Sequence, residues 1–324
     1  MPSALGRCLR VVRSRSGSRV FQALSLAAVV AVGYLVVRHF LRQGWPFHHP
    51  NVALVLAAGG LFLAAYGVKA FGWGRLFAGS ERPSVLTLAA AGGAAAFTGL
   101  ALPGRFDEVV RIGVVRRFRG KRTGIGALGL SLFLLGLLDS AALSPLAGIA
   151  ALVSGSSGWF LAGLIVVAVA GVAAAAVVLL LPRIARVGRL ARFRLTGWVR
   201  EHCASPREAS GAWGLVAFSW LLRGAALVVL LQAFSLASGA AAISLALAFL
   251  CASAASAALP IAPAGAATQA GAGAAILIAA GIHSSQAIAF GLAAQAVIIL
   301  AGTAVFATAE LLHSARRLQV LSST

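Results

Sequence analysis

The densest chemistry in the sequence lies in residues 102–111, LPGRFDEVVR. Pro103 removes a backbone donor and breaks a helix. Gly104 lets the chain turn, so the next helix is expected to begin at about Arg105. Asp107 and Glu108 then fall in a first helical turn, where the helix dipole favours carboxylates. Arg111 follows Glu108 by three positions and Asp107 by four, so it shares a helical face with both and can pair with either. That leaves Arg105 at the break, where a guanidinium beside unpaired helix-end N–H groups suits a phosphate. The plainer reading is a cytoplasmic loop with a Glu/Arg helix pair.

Asp139 is the one carboxylate well inside an apolar run, and an ionisable side chain at membrane depth is expected to have a function and a partner. Arg223, a cation near the middle of another run, is the expected partner. With both helices starting on the same side, Asp139 is about 21 Å and Arg223 about 16 Å along its helix, so a pair is geometrically allowed. It would either lock two halves together or change protonation or partner during transport.

A second break occurs at residues 259–269, LPIAPAGAATQ, where Pro260, Pro263 and Gly265 unwind the helix and Thr268 and Gln269 offer uncharged polar groups. Transporters use such unwound backbone for substrate; the plainer reading is a kinked Ala/Gly-rich helix with Gln269 bonded to a neighbour. The six histidines show no HExxH spacing and the three cysteines no CxxC pair. Neither a metal site nor a disulfide framework is expected. With no P-loop, dinucleotide fingerprint or nucleophile elbow, no cofactor is expected either.

These residues must be positioned by helices in a bilayer. Hydrophobic residues make up 60% of the chain and charged residues 10%, whereas a soluble domain is about 25% charged. A span needs about 20 apolar residues to cross about 30 Å of hydrocarbon. Runs at 20–37, 51–70, 125–146, 159–181, 212–234 and 287–309 meet this. The first is long for a signal peptide and no small-residue cleavage site follows it, so it is read as a retained helix. Two more apolar stretches, 85 to about 118 and 241 to about 282, are interrupted at the two breaks.

The chain holds 27 Lys and Arg against 7 Asp and Glu, a formal charge of +20. The cations sit in short loops between apolar runs, which marks a cytoplasmic membrane face and points to anionic lipid headgroups, not nucleic acid. Five arginines precede the first run, seven Lys/Arg lie between Arg105 and Arg122, and seven arginines lie between Arg183 and Arg207. All three regions are cytoplasmic only if 85–118 is a re-entrant hairpin entered from inside. The second broken stretch then enters from outside, and both termini are cytoplasmic. The expected fold is an all-α polytopic protein with about six full spans and two re-entrant or broken segments. A basic segment, 1–19, precedes two inverted repeats, 20–153 and 154–309, and a tail, 310–324, follows them. The alternative is that 85–102 crosses completely, its Gly and Ala content serving close helix packing.

Together these residues resemble the transmembrane family of lysylphosphatidylglycerol synthase, which includes stand-alone flippase-like proteins. The family pattern P-x-R-x-G-E-x-x-R is similar to Pro103, Arg105, Glu108 and Arg111, with Asp107 where glycine is usual. The P-G-G-x-G segment is similar to residues 263–267, of which Gly265 is the retained glycine, and a family aspartate matches Asp139. Leu135 and Gly136 stand where the family usually has a Glu-Arg pair; Trp73, Arg75 and Leu76 after the second run also match. The resemblance implies translocation of a phospho- or glycolipid across the cytoplasmic membrane, with a separate transferase enzyme as a partner. The protein is thus expected to be a transporter, with Pro103, Arg105, Glu108, Arg111, Asp139, Arg223, Pro260, Pro263, Gly265 and Gln269 at the headgroup site. An intramembrane transferase acting on polyprenyl phosphates or other lipids, and a non-transporting accessory subunit, are the alternatives. The transferase usually needs several carboxylates for Mg²⁺.

Overall fold

The computed structural model describes residues 34, 38, 40–42, 44–47, 49–77, 82–99, 106–119, 123–153, 158–184, 205–257 and 265–322. The expected first span, 20–37, lies almost wholly outside these residues, as do Pro103, Arg105, Pro260 and Pro263. Among the described residues the main α-helices are, in chain order, α1 Val52–Gly74, α2 Val85–Thr98, α3 Phe106–Arg119, α4 Ile125–Val153, α5 Gly158–Ile184, α6 Pro206–Ala233, α7 Gly239–Ala257, α8 Gly265–Ala279 and α9 Ser284–Ser322. No strand occurs among the described residues.

Local sequence sets several of the helix ends. The side chains of Asn51, Ser84 and Ser205 accept hydrogen bonds from the backbone N–H groups of Leu54, Thr87 and Glu208, satisfying donors that a first helical turn leaves unpaired. Pro206 opens α6, where its missing N–H costs nothing. At the far end of α8, Gly281 has φ +90° while Ile282 N–H donates to Leu277 O and Gly281 N–H to Ile278 O. That pair of bonds closes the helix around a left-handed residue, a conformation glycine adopts freely.

Helices α1, α4, α5, α6, α7 and α9 each contain an apolar stretch long enough to cross a bilayer, while α2 and α8 are shorter apolar helices. The chain is an all-α polytopic membrane protein. Side chains such as Leu56, Val166 and Leu300 stand exposed on these helices, which suits a hydrocarbon solvent. The two broken stretches differ in their first halves. α2 has 14 residues, about 21 Å, while α7 has 19, about 28 Å. The reason is local: no proline interrupts 239–257, whereas α2 starts after Pro83 and stops at Gly99.

α1 and α6 pack along their lengths in opposite directions. Asn51 N–H, at the start of α1, donates to Ala233 O at the end of α6, and Gly72, near the end of α1, meets Ala212, Leu215 and Val216 near the start of α6. Likewise α4 and α5 run antiparallel, with Ser144 Oγ donating to Ala168 O at 2.7 Å. α7 and α8 form a hairpin in which Ser253 Oγ donates to Gln269 O at 3.0 Å. α2 packs against α9 and α7 against α4; α9 also lies on α1, and α4 on α6. Small residues set these distances, most tightly where Gly93 of α2 faces the backbone carbonyl of Gly302 of α9.

Candidate functional site

Three helices converge on Asp139. Lys69 Nζ of α1 donates to Asp139 Oδ2 at 2.7 Å, and Trp220 Nε1 of α6 donates to Asp139 Oδ1 at 2.9 Å. The ion pair of Asp139 is therefore with Lys69, and the expected pairing with Arg223 is corrected. The cause is the antiparallel packing of α1 on α6, which sets Lys69 beside Trp220, its Nζ 5.6 Å from the indole centroid. From there the long Lys69 stem reaches α4.

Arg223 sits one helical turn beyond Trp220 on α6. Its guanidinium carbon is 4.9 Å from the Trp220 ring centroid and 5.6 Å from that of Tyr66 on α1. Among the described residues it forms no ion pair with a carboxylate. The ring faces hold the cation without cancelling its charge. On α3, Arg111 Nη2 lies 3.2 Å from Asp107 Oδ2, four positions back, one of the two pairings its spacing allows. Glu108, beside them, is also engaged.

The end of α2 and the start of α8, on which the two breaks border, come together in space. A methyl group added to Gly265, which opens α8, would touch the carbonyl oxygen of Gly99, which caps α2. Next to this junction Gln269 of α8 and the buried Gln295 of α9 face each other, Gln295 Nε2 donating to Gln269 Oε1 at 3.5 Å. Two cavities of about 230 and 480 Å³ adjoin here and share Tyr66, Lys69, Asp107, Arg111, Arg223, Gln269, Gln295 and Ile298 in their walls. The smaller reaches Gly99 and Gly265, and the larger reaches Glu108, Asp139, Trp220 and Ser253. The larger cavity thus carries three basic side chains, Lys69, Arg111 and Arg223, and three acidic ones, Asp107, Glu108 and Asp139.

A family model described as the lysylphosphatidylglycerol synthase TM region matches residues 20–305. The chain belongs to that family. No curated protein and no solved structure matches the chain. The match takes in every described residue in the walls of both cavities, so the whole charged site lies within the lysylphosphatidylglycerol synthase TM region.

Of the residues expected at the site, Glu108, Arg111, Asp139, Arg223, Gly265 and Gln269 lie in the cavity walls, while Pro103, Arg105, Pro260 and Pro263 fall outside the described residues. Sequence reasoning missed Lys69, Tyr66, Trp220 and Gln295. A signal existed for Lys69, a charged side chain inside the apolar run 51–70, which the cost of intramembrane charge marks as functional. Its place near the end of that run made it resemble an interfacial lysine. Tyr66 and Trp220 carried no such signal, since aromatic residues in apolar helices are common core residues.

Proposed function

We propose that the chain is a flippase-like transporter that moves a lipid with a polar phospho- or glyco-headgroup across the cytoplasmic membrane. The observation that carries this reading is the approach of Gly99, at the end of α2, to Gly265, at the start of α8, on a charged cavity lined by membrane-spanning helices together with α2, α3 and α8. Non-helical backbone at membrane depth needs protein or a water-filled cavity to satisfy it, and polar groups there provide a path for a headgroup that hydrocarbon excludes.

The packing supports an inverted repeat. When α1–α4 are exchanged with α6–α9, the contact of α1 with its antiparallel counterpart α6 maps onto itself. That of α2 with α9 becomes α7 with α4, and that of α9 with α1 becomes α4 with α6. Repeats related in this way can rock about a central site and expose it to each side in turn. Re-entrant placement of the helix pair α2–α3 keeps the cations at 105–122 on the cytoplasmic side with both termini. In this reading the Asp107–Arg111 pair steadies the first break, Lys69, Asp139 and Trp220 couple the two halves, and α8 forms the opposite wall.

The test is reconstitution of the purified chain into liposomes containing fluorescent phospho- and glycolipids. Dithionite added outside should bleach more than the outer-leaflet half of at least one lipid, in proportion to protein per vesicle. Bleaching that stops at half for every lipid tested, at all protein densities, would refute transport. A new lipid product in the same vesicles would favour a transferase.

A further inference from the structure

We propose that Arg223 anchors the phosphate of a ligand whose headgroup bears hydroxyls and no net positive charge, with Gln269 and Gln295 receiving the hydroxyls. That this ligand is a lipid rests on the transport reading above; the assignment of the anion to Arg223 does not.

The cavity's ion pairs select the position. Asp139 has one oxygen on Lys69 and the other on Trp220. Asp107 holds Arg111, and Glu108 is engaged. A ligand ammonium would have to share each of these carboxylates with a donor already bound to it. Arg223 differs from the other two cations, since its partners are the faces of Tyr66 and Trp220. A guanidinium whose partners among the described residues are ring faces keeps a full unit of charge to be neutralised. Its planar fork of donors fits phosphate oxygens.

Beside it, one amide contact joins Gln295 to Gln269. The other polar atom of each side chain, an N–H donor on Gln269 and a carbonyl acceptor on Gln295, makes no hydrogen bond to a described side chain. A hydroxyl both donates and accepts, and so meets such a pair. Arg223, Gln269 and Gln295 line both cavities, which places phosphate and hydroxyl positions in one continuous space. A phosphodiester linked to glycerol or a sugar satisfies all three side chains. An aminoacylated headgroup would add an ammonium where each carboxylate of the cavity wall is already engaged.

The test uses the full chain purified in dodecyl maltoside, with phosphatidylglycerol, its lysyl ester or free glycerol 1-phosphate added, and retention read by native mass spectrometry. Phosphatidylglycerol should be retained about tenfold or more in preference to the lysyl ester, whose added ammonium groups would enter the cavity without a carboxylate of their own. Arg223→Gln should lose that retention and Arg223→Lys should keep much of it. Should Arg223→Gln fail to fold, the comparison of the two lipids on the unaltered chain decides alone. Displacement of phosphatidylglycerol by glycerol 1-phosphate at matched concentration would uphold the anion site but assign it to a soluble phosphate ester. Lack of displacement would uphold a lipid-borne phosphate. Equal or stronger retention of the lysyl ester, or undiminished retention of phosphatidylglycerol by folded Arg223→Gln, overturns the proposal. Because retention is read without transport, inactivity in liposomes would sink the transport reading and leave this assignment standing.

Discussion

Asp139 is held by groups from two other helices, so substitutions around it separate charge from hydrogen bonding. Lys69→Met leaves the carboxylate without its counter-charge and should cost about 2–4 kcal/mol, somewhat below the figure for a fully buried pair because both side chains touch the cavity. Removing both charges in Lys69→Met/Asp139→Leu should recover most of that loss, as read from thermal unfolding in detergent. No recovery in the double variant would mean that the loss comes from the missing Lys69–Asp139 contact itself and not from a carboxylate left unpaired. Trp220→Phe keeps a ring under Arg223 but deletes the N–H that donates to Asp139. The expected cost is about 1–3 kcal/mol, for a hydrogen bond to a charged acceptor. An unchanged unfolding temperature would show that the indole N–H contributes nothing.

At the scale of helices, close approach through small residues does what large apolar side chains do in a soluble core, because lipid tails are as apolar as the helix surfaces themselves. Gly93 is the sharpest case, since any Cβ there would run into the Gly302 carbonyl and push α2 from α9. Gly93→Val should therefore destabilise the fold by about 1–3 kcal/mol or more. Gly67→Ala on α1, where a Cβ meets nothing within 4 Å, should be neutral or slightly stabilising. Unfolding temperatures of the two variants check this, and equal values would show that the α2–α9 approach is not tight. Gly265, Thr268 and Gln269, expected on unwound backbone, lie on helix α8, since an Ala-rich stretch favours helix. The length of α7 was not legible either. A proline-free alanine-rich stretch is compatible with a half-span or a full one, and a sequence alone does not say where in the bilayer it begins.

For the molecule as a whole, charge parity and packing make separate statements about topology. With the three native cysteines replaced by alanine, a cysteine at Arg116 on α3 should react with an impermeant maleimide only after the cells are opened. Labelling from outside intact cells would overturn the re-entrant placement of α2 and α3, and with it the inverted repeat. Exchange symmetry among the helix contacts does not extend to the chemistry. Of the larger cavity's charged side chains, Lys69, Asp107, Glu108, Arg111 and Asp139 come from α1, α3 and α4, and Arg223 from α6. The repeat supplies a frame that can rock, and the charged site sits asymmetrically within it.

By itself the sequence determined the solvent and the helical class, since apolar run length is a local property that a bilayer reads directly. It also marked Asp139 and Arg223, because an ionisable residue inside an apolar run is conspicuous wherever the helix ends up. Only the tertiary structure decided the partners. Whether Asp139 meets Lys69 or Arg223 depends on the direction and offset with which α1 packs on α6, and nothing in either helix alone records that offset. Packing also put Gly99 beside Gly265, more than 150 residues away in the chain, in the wall of one cavity.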